Sequence, residues 1–215
     1  MGEAGKLIVL EGIDGAGTTT QAQRLHAELR QRGLRVHCTA QPSAGPVGRL
    51  IREVLGGQLM ATDAGPPDFA TMSLLFAADR QDQQAREIAP LLGDGVHVVC
   101  DRWVHSSVIY QSVSAGDMAV QEWIRELNRY MRAPDLVVYL QIDAETAAAR
   151  RTARGGKEEM FDRLAFQKQL IVQYDRMGDI FRGERICTLD ARLTVDELAG
   201  QVAREVLDLL NMEER

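Results

Sequence analysis

Residues 7–21 read LIVLEGIDGAGTTTQ, and this stretch decides the fold. Leu7, Ile8, Val9 and Leu10 form a short apolar run closed by a glycine, the pattern of a strand buried on both faces. A helical pattern follows over residues 18–32, with small or apolar Ala22, Leu25 and Leu29 on one face and a stop at Gly33. Between them stands Gly12-x-x-x-x-Gly17. A glycine-rich turn at that place points backbone N–H groups inward, and the helix behind it adds its positive N-terminal end. Gly12, Gly15, Ala16, Gly17, Thr18, Thr19 and Thr20 are therefore candidates for holding phosphate. The phosphate-loop template asks for lysine and then serine or threonine. Here Thr18 occupies the lysine position, and Thr19 stands where a hydroxyl would meet Mg²⁺.

Two other glycine-loop readings fare worse. GIDGAG is G-x-x-G-x-G, not the dinucleotide fingerprint G-x-G-x-x-G. No NKxD tetrapeptide is present to read a guanine base.

Working outward, the apolar and helical patterns alternate along the chain. Strands are expected at residues 34–40, 96–100, 136–142 and 185–189, and helices at 47–55, 69–92, 118–131, 144–153, 161–181 and 195–210. Thr194, with Glu197 three residues on, predicts a capping box before the last helix. Strands alternating with helices specify a parallel sheet covered on both faces, in one domain spanning residues 1–215.

Composition bounds the function. The 215 residues are 45% hydrophobic, enough for a packed core. A net charge of −6 excludes general attraction to nucleic acid, so any anion site is local. Cys38, Cys100 and Cys187 are far apart and form no CxxC pair, which fits reduced thiols rather than a zinc cage or disulfide framework. The apolar runs are too short to span a bilayer, and residues 1–6 are too short and polar for a signal peptide. A cytoplasmic protein without membrane association is expected.

A second chemical signal closes the third strand, at Cys100-Asp101-Arg102. A carboxylate at a strand end beside a phosphate loop can hold Mg²⁺, and the adjacent guanidinium can clamp a phosphate. Taken alone, the pair also reads as a structural ion pair.

LIVLEGIDGAGTTTQ, LLFAADR, DRWVHSSVIYQ and APDLVVYLQID stand in the order and spacing of a thymidylate kinase, and the chain resembles that family from about Leu7 to Asp190. The resemblance implies a P-loop nucleoside-monophosphate kinase: a three-layer αβα sandwich with a five-stranded parallel sheet in the order 2-3-1-4-5 and a helical lid near residues 150–160. It implies transfer of the ATP γ-phosphoryl group to dTMP with Mg²⁺, giving dTDP and ADP, by a homodimer. An apolar helix face at residues 69–78 is a candidate interface. A nucleotide-binding homologue with weakened catalysis is the alternative, and another pyrimidine monophosphate such as dUMP is a narrower one.

Carried over position by position, the resemblance gives Phe76 the role of stacking on thymine. Arg80, at i+4 on the same helix face, would donate to the base carbonyl. Ser106 and Ser107 would line the base pocket, and Tyr110 and Gln111 would contact sugar and base. Pro42 belongs to the acceptor site. Asp14 would accept from the 3′-hydroxyl, Arg102 would bind the acceptor phosphate, and Asp101 would serve the metal. The basic segment ARRTARGGK matches the lid, so Arg150, Arg151, Arg154 and Lys157 would close over ATP.

The chain departs from the family pattern at four places. Thr18 replaces the loop lysine. TAQPSAG at residues 39–45 stands where the family commonly shows T-R-E-P-G-G. Met160 occupies an arginine position of the lid, and Ser112 follows Tyr110-Gln111 where glycine is usual. All four touch phosphate or acceptor handling. Arg154 and Lys157, then Arg151, are the expected sources of the positive charge that Thr18 lacks, whereas Lys6 lies at the far end of the first strand.

Overall fold

The computed structural model describes residues 4–59, 67–155, 161 and 163–211. Five parallel strands form one sheet in the order β2-β3-β1-β4-β5, the order the family resemblance implies. They are β1 Leu7–Glu11, β2 Val36–Ala40, β3 His97–Asp101, β4 Leu136–Gln141 and β5 Ile186–Asp190. Every residue of β1 is buried because its two faces serve two cores. Ile8 and Leu10 join a large cluster with Leu25 and Leu29, whereas Leu7 and Val9 pack with Ile88, Leu92 and Trp103. Alternate residues of a strand point to opposite faces, so a central strand covered on both sides is apolar throughout.

The helices are α1 Thr18–Gln31, α2 Pro46–Leu55, α3 Phe69–Gln83, α4 Ala89–Gly93, α5 Val104–Ala115, α6 Val120–Leu127, α7 Ala144–Arg154, α8 Leu164–Tyr174, α9 Met177–Ile180 and α10 Val195–Leu209. The capping box before α10 is present, with Thr194 and Glu197 each satisfying the other's backbone N–H.

Three elements differ from the sequence expectation. The helix expected over residues 69–92 is α3 and α4 joined by a π-helical turn, Gln84–Ile88. Pro90 explains it: proline has no N–H and its ring crowds the carbonyl four residues back, and a wider turn relieves that crowding. The helix expected over residues 161–181 is split into α8 and α9; at the break the Asp175 carboxylate accepts from the Tyr139 hydroxyl (3.1 Å) and Gln141 Nε2 (2.7 Å). α5 has no counterpart in the expected elements. It is buried nearly all round, from His105 through Val113 save Ser106, so it shows no polar face and no helical period.

Candidate active site

The carboxyl ends of β1 and β3 converge on one cleft, as the rule for open α/β sheets requires. At β1 the chain turns through the glycine loop into α1. Gly15 and Gly17 have φ of +96° and +101°, a region unfavourable to side chains. A Cβ on Gly15 would stand 2.4 Å from the carbonyl oxygen of Ala147, so the loop is pressed directly against α7. Gly17, the N-cap residue of α1, has no side chain to cap it. The first N–H groups of α1 are therefore left to an incoming ligand. Thr18 is buried and begins α1, whereas Thr19 and Thr20 are exposed.

Across the loop, the Thr19 hydroxyl donates to Asp101 Oδ2. Asp101 is buried, and its other oxygen, Oδ1, has no protein partner. A buried carboxylate oxygen left open is costly unless something else occupies it. Hydroxyl and carboxylate together suit Mg²⁺, which takes one or two protein oxygens and fills its shell with phosphate and water.

Arg102 sits at the hinge between this phosphate side and the cleft. Its φ is +71°, which is uncommon for a side chain other than glycine and marks a site held by its surroundings. Its guanidinium donates to Gly12 O (2.8 Å), Ser106 Oγ (3.0 Å) and Asp14 Oδ1 (2.7 Å). Burial alone would lower the Arg102 pKa; Tyr110, Asp14, Tyr174 and Asp101 outweigh it and hold the group well above the usual arginine value. Burial, reinforced by the Asp14 charge, pushes the Tyr110 phenol up, so it stays protonated and donates to Asp14 Oδ2 (3.0 Å).

The cleft itself has a volume of about 160 Å³. The residues expected to hold the acceptor all line it: Asp14, Pro42, Phe76, Arg80, Arg102, Ser106, Ser107, Tyr110 and Gln111. Arg80 is buried and donates to Ser107 Oγ (2.7 Å), Asn128 Oδ1 (2.6 Å) and Trp103 O (3.3 Å). Burial pulls its pKa down to about 10, against the pull of Glu11, so it remains a cation at neutral pH. Arg80 and Gln111 both line the cleft, and Arg80 Nε and Gln111 Oε1 are buried without protein partners. Ser106 and Ser107 lie in the first turn of α5, not at its cap, which is Trp103.

The basic segment is partly helical. Arg150, Arg151 and the backbone of Arg154 belong to the C-terminal end of α7, and Arg151 Nη1 donates to the backbone oxygen of Asp14. Lys157 lies outside the described residues. Lys6 is indeed at the far end of β1, 3.7 Å from Asp135.

Sequence reasoning missed several members of the site. Gln41, Leu55, Trp103 and Phe161 also line the cleft. Glu11, Gln167 and Tyr174 stand behind it, bonded to its polar residues Ser106 and Asp14. The only sequence signal for Glu11 was a carboxylate closing an otherwise apolar strand.

The thymidylate kinase family model matches residues 10–202. The chain belongs to the thymidylate kinase family. It is 34% identical over 210 residues to a probable thymidylate kinase of Pyrococcus abyssi, covering 95% of this chain and 99% of that protein. A probable thymidylate kinase of Methanococcus vannielii is 38% identical over 175 residues, 81% of this chain and 79% of its own length. One from Pyrobaculum aerophilum is 34% identical over 197 residues, 91% and 93% of the two chains. The observed sheet order and helices on both faces are those of a P-loop kinase of this family. Among the described residues no helix is long and apolar enough to cross a membrane.

Proposed function

We propose that the protein transfers the γ-phosphoryl group of ATP to dTMP, giving ADP and dTDP. The observation that carries the reading is the join between cleft and loop. Asp14 belongs to both, and Arg102 bonds Asp14 while lining the cleft. An acceptor monophosphate bound along the cleft is thereby aimed at whatever phosphate the loop holds. Such transfer needs positioning and positive charge, with no side-chain nucleophile.

In this reading Phe76 stacks on the thymine ring. Arg80, fixed by Ser107 and Asn128, and the open oxygen of Gln111 hydrogen-bond the base edge. Asp14, already accepting from Tyr110 and Gln167 Nε2 (3.1 Å), takes the 3′-hydroxyl, and Arg102 takes the acceptor phosphate. The loop N–H groups and the start of α1 hold the ATP phosphates. Thr19 and Asp101 would hold Mg²⁺, which neutralises phosphate charge when bound. Arg150, Arg151, Arg154 and Lys157 supply cations over ATP, and Arg151 is our first assignment for the charge absent at Thr18. That places Arg151 ahead of Arg154 and Lys157, because it already bonds the loop.

We further propose a homodimer. Leu74 of α3 and Trp123 of α6 are 53% and 39% exposed, Trp123 packs edge-on against Phe69, and a second copy would cover them. A coupled ADP-release assay with ATP, Mg²⁺ and dTMP tests the reaction. Turnover no faster than without enzyme would overturn it. Parallel trials of dUMP, dCMP and dGMP give the acceptor preference, and sedimentation gives the oligomeric state.

A further inference from the structure

We propose that Glu11 is a positioning residue for the acceptor half of the site, holding the start of α5 and orienting two hydroxyls that set the guanidinium of Arg102. The inference rests on the reading that Arg102 receives the acceptor phosphate.

Glu11 is the last residue of β1 and is completely buried. Its Oε1 accepts from the backbone N–H groups of Trp103 (2.8 Å) and Ser106 (3.2 Å). Its Oε2 accepts from the hydroxyls of Ser106 (2.7 Å) and Tyr174 (2.9 Å). Trp103, the cap residue of α5, makes no side-chain cap bond of its own. The carboxylate does that work from another element, and the helix N-terminus favours its charge. The left-handed turn at Arg102 is thus pinned on both sides by β1: Arg102 N–H donates to Leu10 O (2.9 Å) and the next N–H donates to Glu11.

Capping alone would not require a charge. The charge matters for the hydroxyls. An ionised carboxylate only accepts, so the protons of Ser106 and Tyr174 both turn toward it. Each oxygen then presents lone pairs elsewhere. Ser106 Oγ accepts from Arg102 Nη1 at 3.0 Å, and the Tyr174 oxygen stands 3.5 Å from the same nitrogen. Burial, reinforced by the Glu11 charge, keeps the Tyr174 phenol protonated, as this arrangement requires. Glutamine has nearly the same shape and cannot reproduce this pattern. With its oxygen on the backbone N–H groups, its NH₂ would donate to the hydroxyls; one hydroxyl would then donate to the other across 3.1 Å, and the remaining proton would face the Arg102 cation. With the amide reversed, two donors would oppose the N–H groups of Trp103 and Ser106.

The experiment uses the full chain and Glu11→Gln, with Ser106→Ala as the second variant. Ser106→Ala keeps the carboxylate and the backbone cap and cuts the shorter of the two hydroxyl links to Arg102, leaving Tyr174 at 3.5 Å. Calorimetry with dTMP is expected to show affinity about tenfold to a hundredfold weaker in Glu11→Gln, with ATP affinity unchanged. The double variant is expected to bind no worse than Glu11→Gln alone, because both act through one path. In the ligand-free protein, the ¹⁵N-edited Nε–H resonance of Arg102, assigned by its loss in Arg102→Lys, is expected to shift in both variants. An unmoved resonance in Ser106→Ala overturns the inference, as does dTMP affinity equal to the parent's in a folded Glu11→Gln. A parent that fails to bind dTMP would overturn the functional reading instead, and the resonance would still decide the role of Glu11.

Discussion

Arg151→Ala is the perturbation that bears most directly on how this loop works without its lysine. Arg151 lies four residues beyond Ala147, one turn along α7, so it shares the helix face that packs on Gly15. Its guanidinium reaches the backbone oxygen of Asp14 from that rigid element. The cation is thus in place before any lid closes. A charge-assisted contact that strengthens as the phosphoryl group transfers contributes about 10²–10³ in rate. The ground-state bond to Asp14 O is half-exposed and contributes about 1 kcal/mol to stability, or a melting shift of about 2–4 °C for a chain of this size. Arg151→Ala is therefore expected to lower kcat in the coupled assay by about a hundredfold or more, with the KM for dTMP little changed. Thr18→Lys in the same background is expected to recover much of the loss, since it returns a cation to the loop. Arg154→Ala and Lys157→Ala are the comparisons. A kcat within about threefold of the parent in Arg151→Ala, or a larger loss at Arg154 or Lys157, would refute the assignment.

Two further outcomes are expected. Gly15→Ala adds a Cβ 2.4 Å from the Ala147 carbonyl at a φ of +96°, so it is expected to lower the melting temperature by about 4 °C or more and to cost activity by moving α7; an unchanged melting temperature would contradict the close packing. Burial raises the pKa of all three thiols, with Asp101 adding to it at Cys38 and Cys100 and Glu205 at Cys187, which is pushed up to about 11. A raised pKa favours the unreactive neutral thiol, so at pH 8 iodoacetamide is expected to label the native protein at least about tenfold more slowly than the unfolded chain; equal rates by mass spectrometry would refute it.

What could be read in the sequence follows from how local each signal is. The β1–loop–α1 unit was legible because strand, glycine spacing and helix period lie within one stretch of chain. The capping box at Thr194 was legible for the same reason. The break after α3 depends on Pro90, whose effect is exerted backwards on a turn that the apolar period continues straight through. α5 was hidden because Val108, Ile109 and Val113 are β-branched and buried, which is also how a strand looks. The role of Glu11 had no local signature at all. Its partners lie 92, 95 and 163 residues away, and only the fold brings them together. The residues expected to hold the acceptor came from the family resemblance alone. Their convergence on one cleft comes from α3, α5 and the carboxyl ends of the interior strands β1 and β3 meeting at one end of the sheet.

The site also shows how one functional group is given three tasks by its surroundings. Glu11, Asp14 and Asp101 are carboxylates near the ends of two adjacent strands. Glu11 is filled by four N–H and O–H donors and has no capacity left for a ligand. Asp14 accepts from Arg102, Tyr110 and Gln167 and is 35% exposed, so a substrate hydroxyl can still reach it. Asp101 alone combines burial with an oxygen that no protein group satisfies. A hard cation suits a carboxylate whose second oxygen has no protein partner and whose first meets a hydroxyl, which is why we propose Asp101 and Thr19 for Mg²⁺. The same reasoning places the loop's missing cation. Arg102 already answers to Asp14, Gly12 and Ser106, and Arg80 to Asn128 and Ser107. Both are committed to the acceptor side, which is why we propose Arg151 of α7 as the source of the charge that Thr18 does not provide.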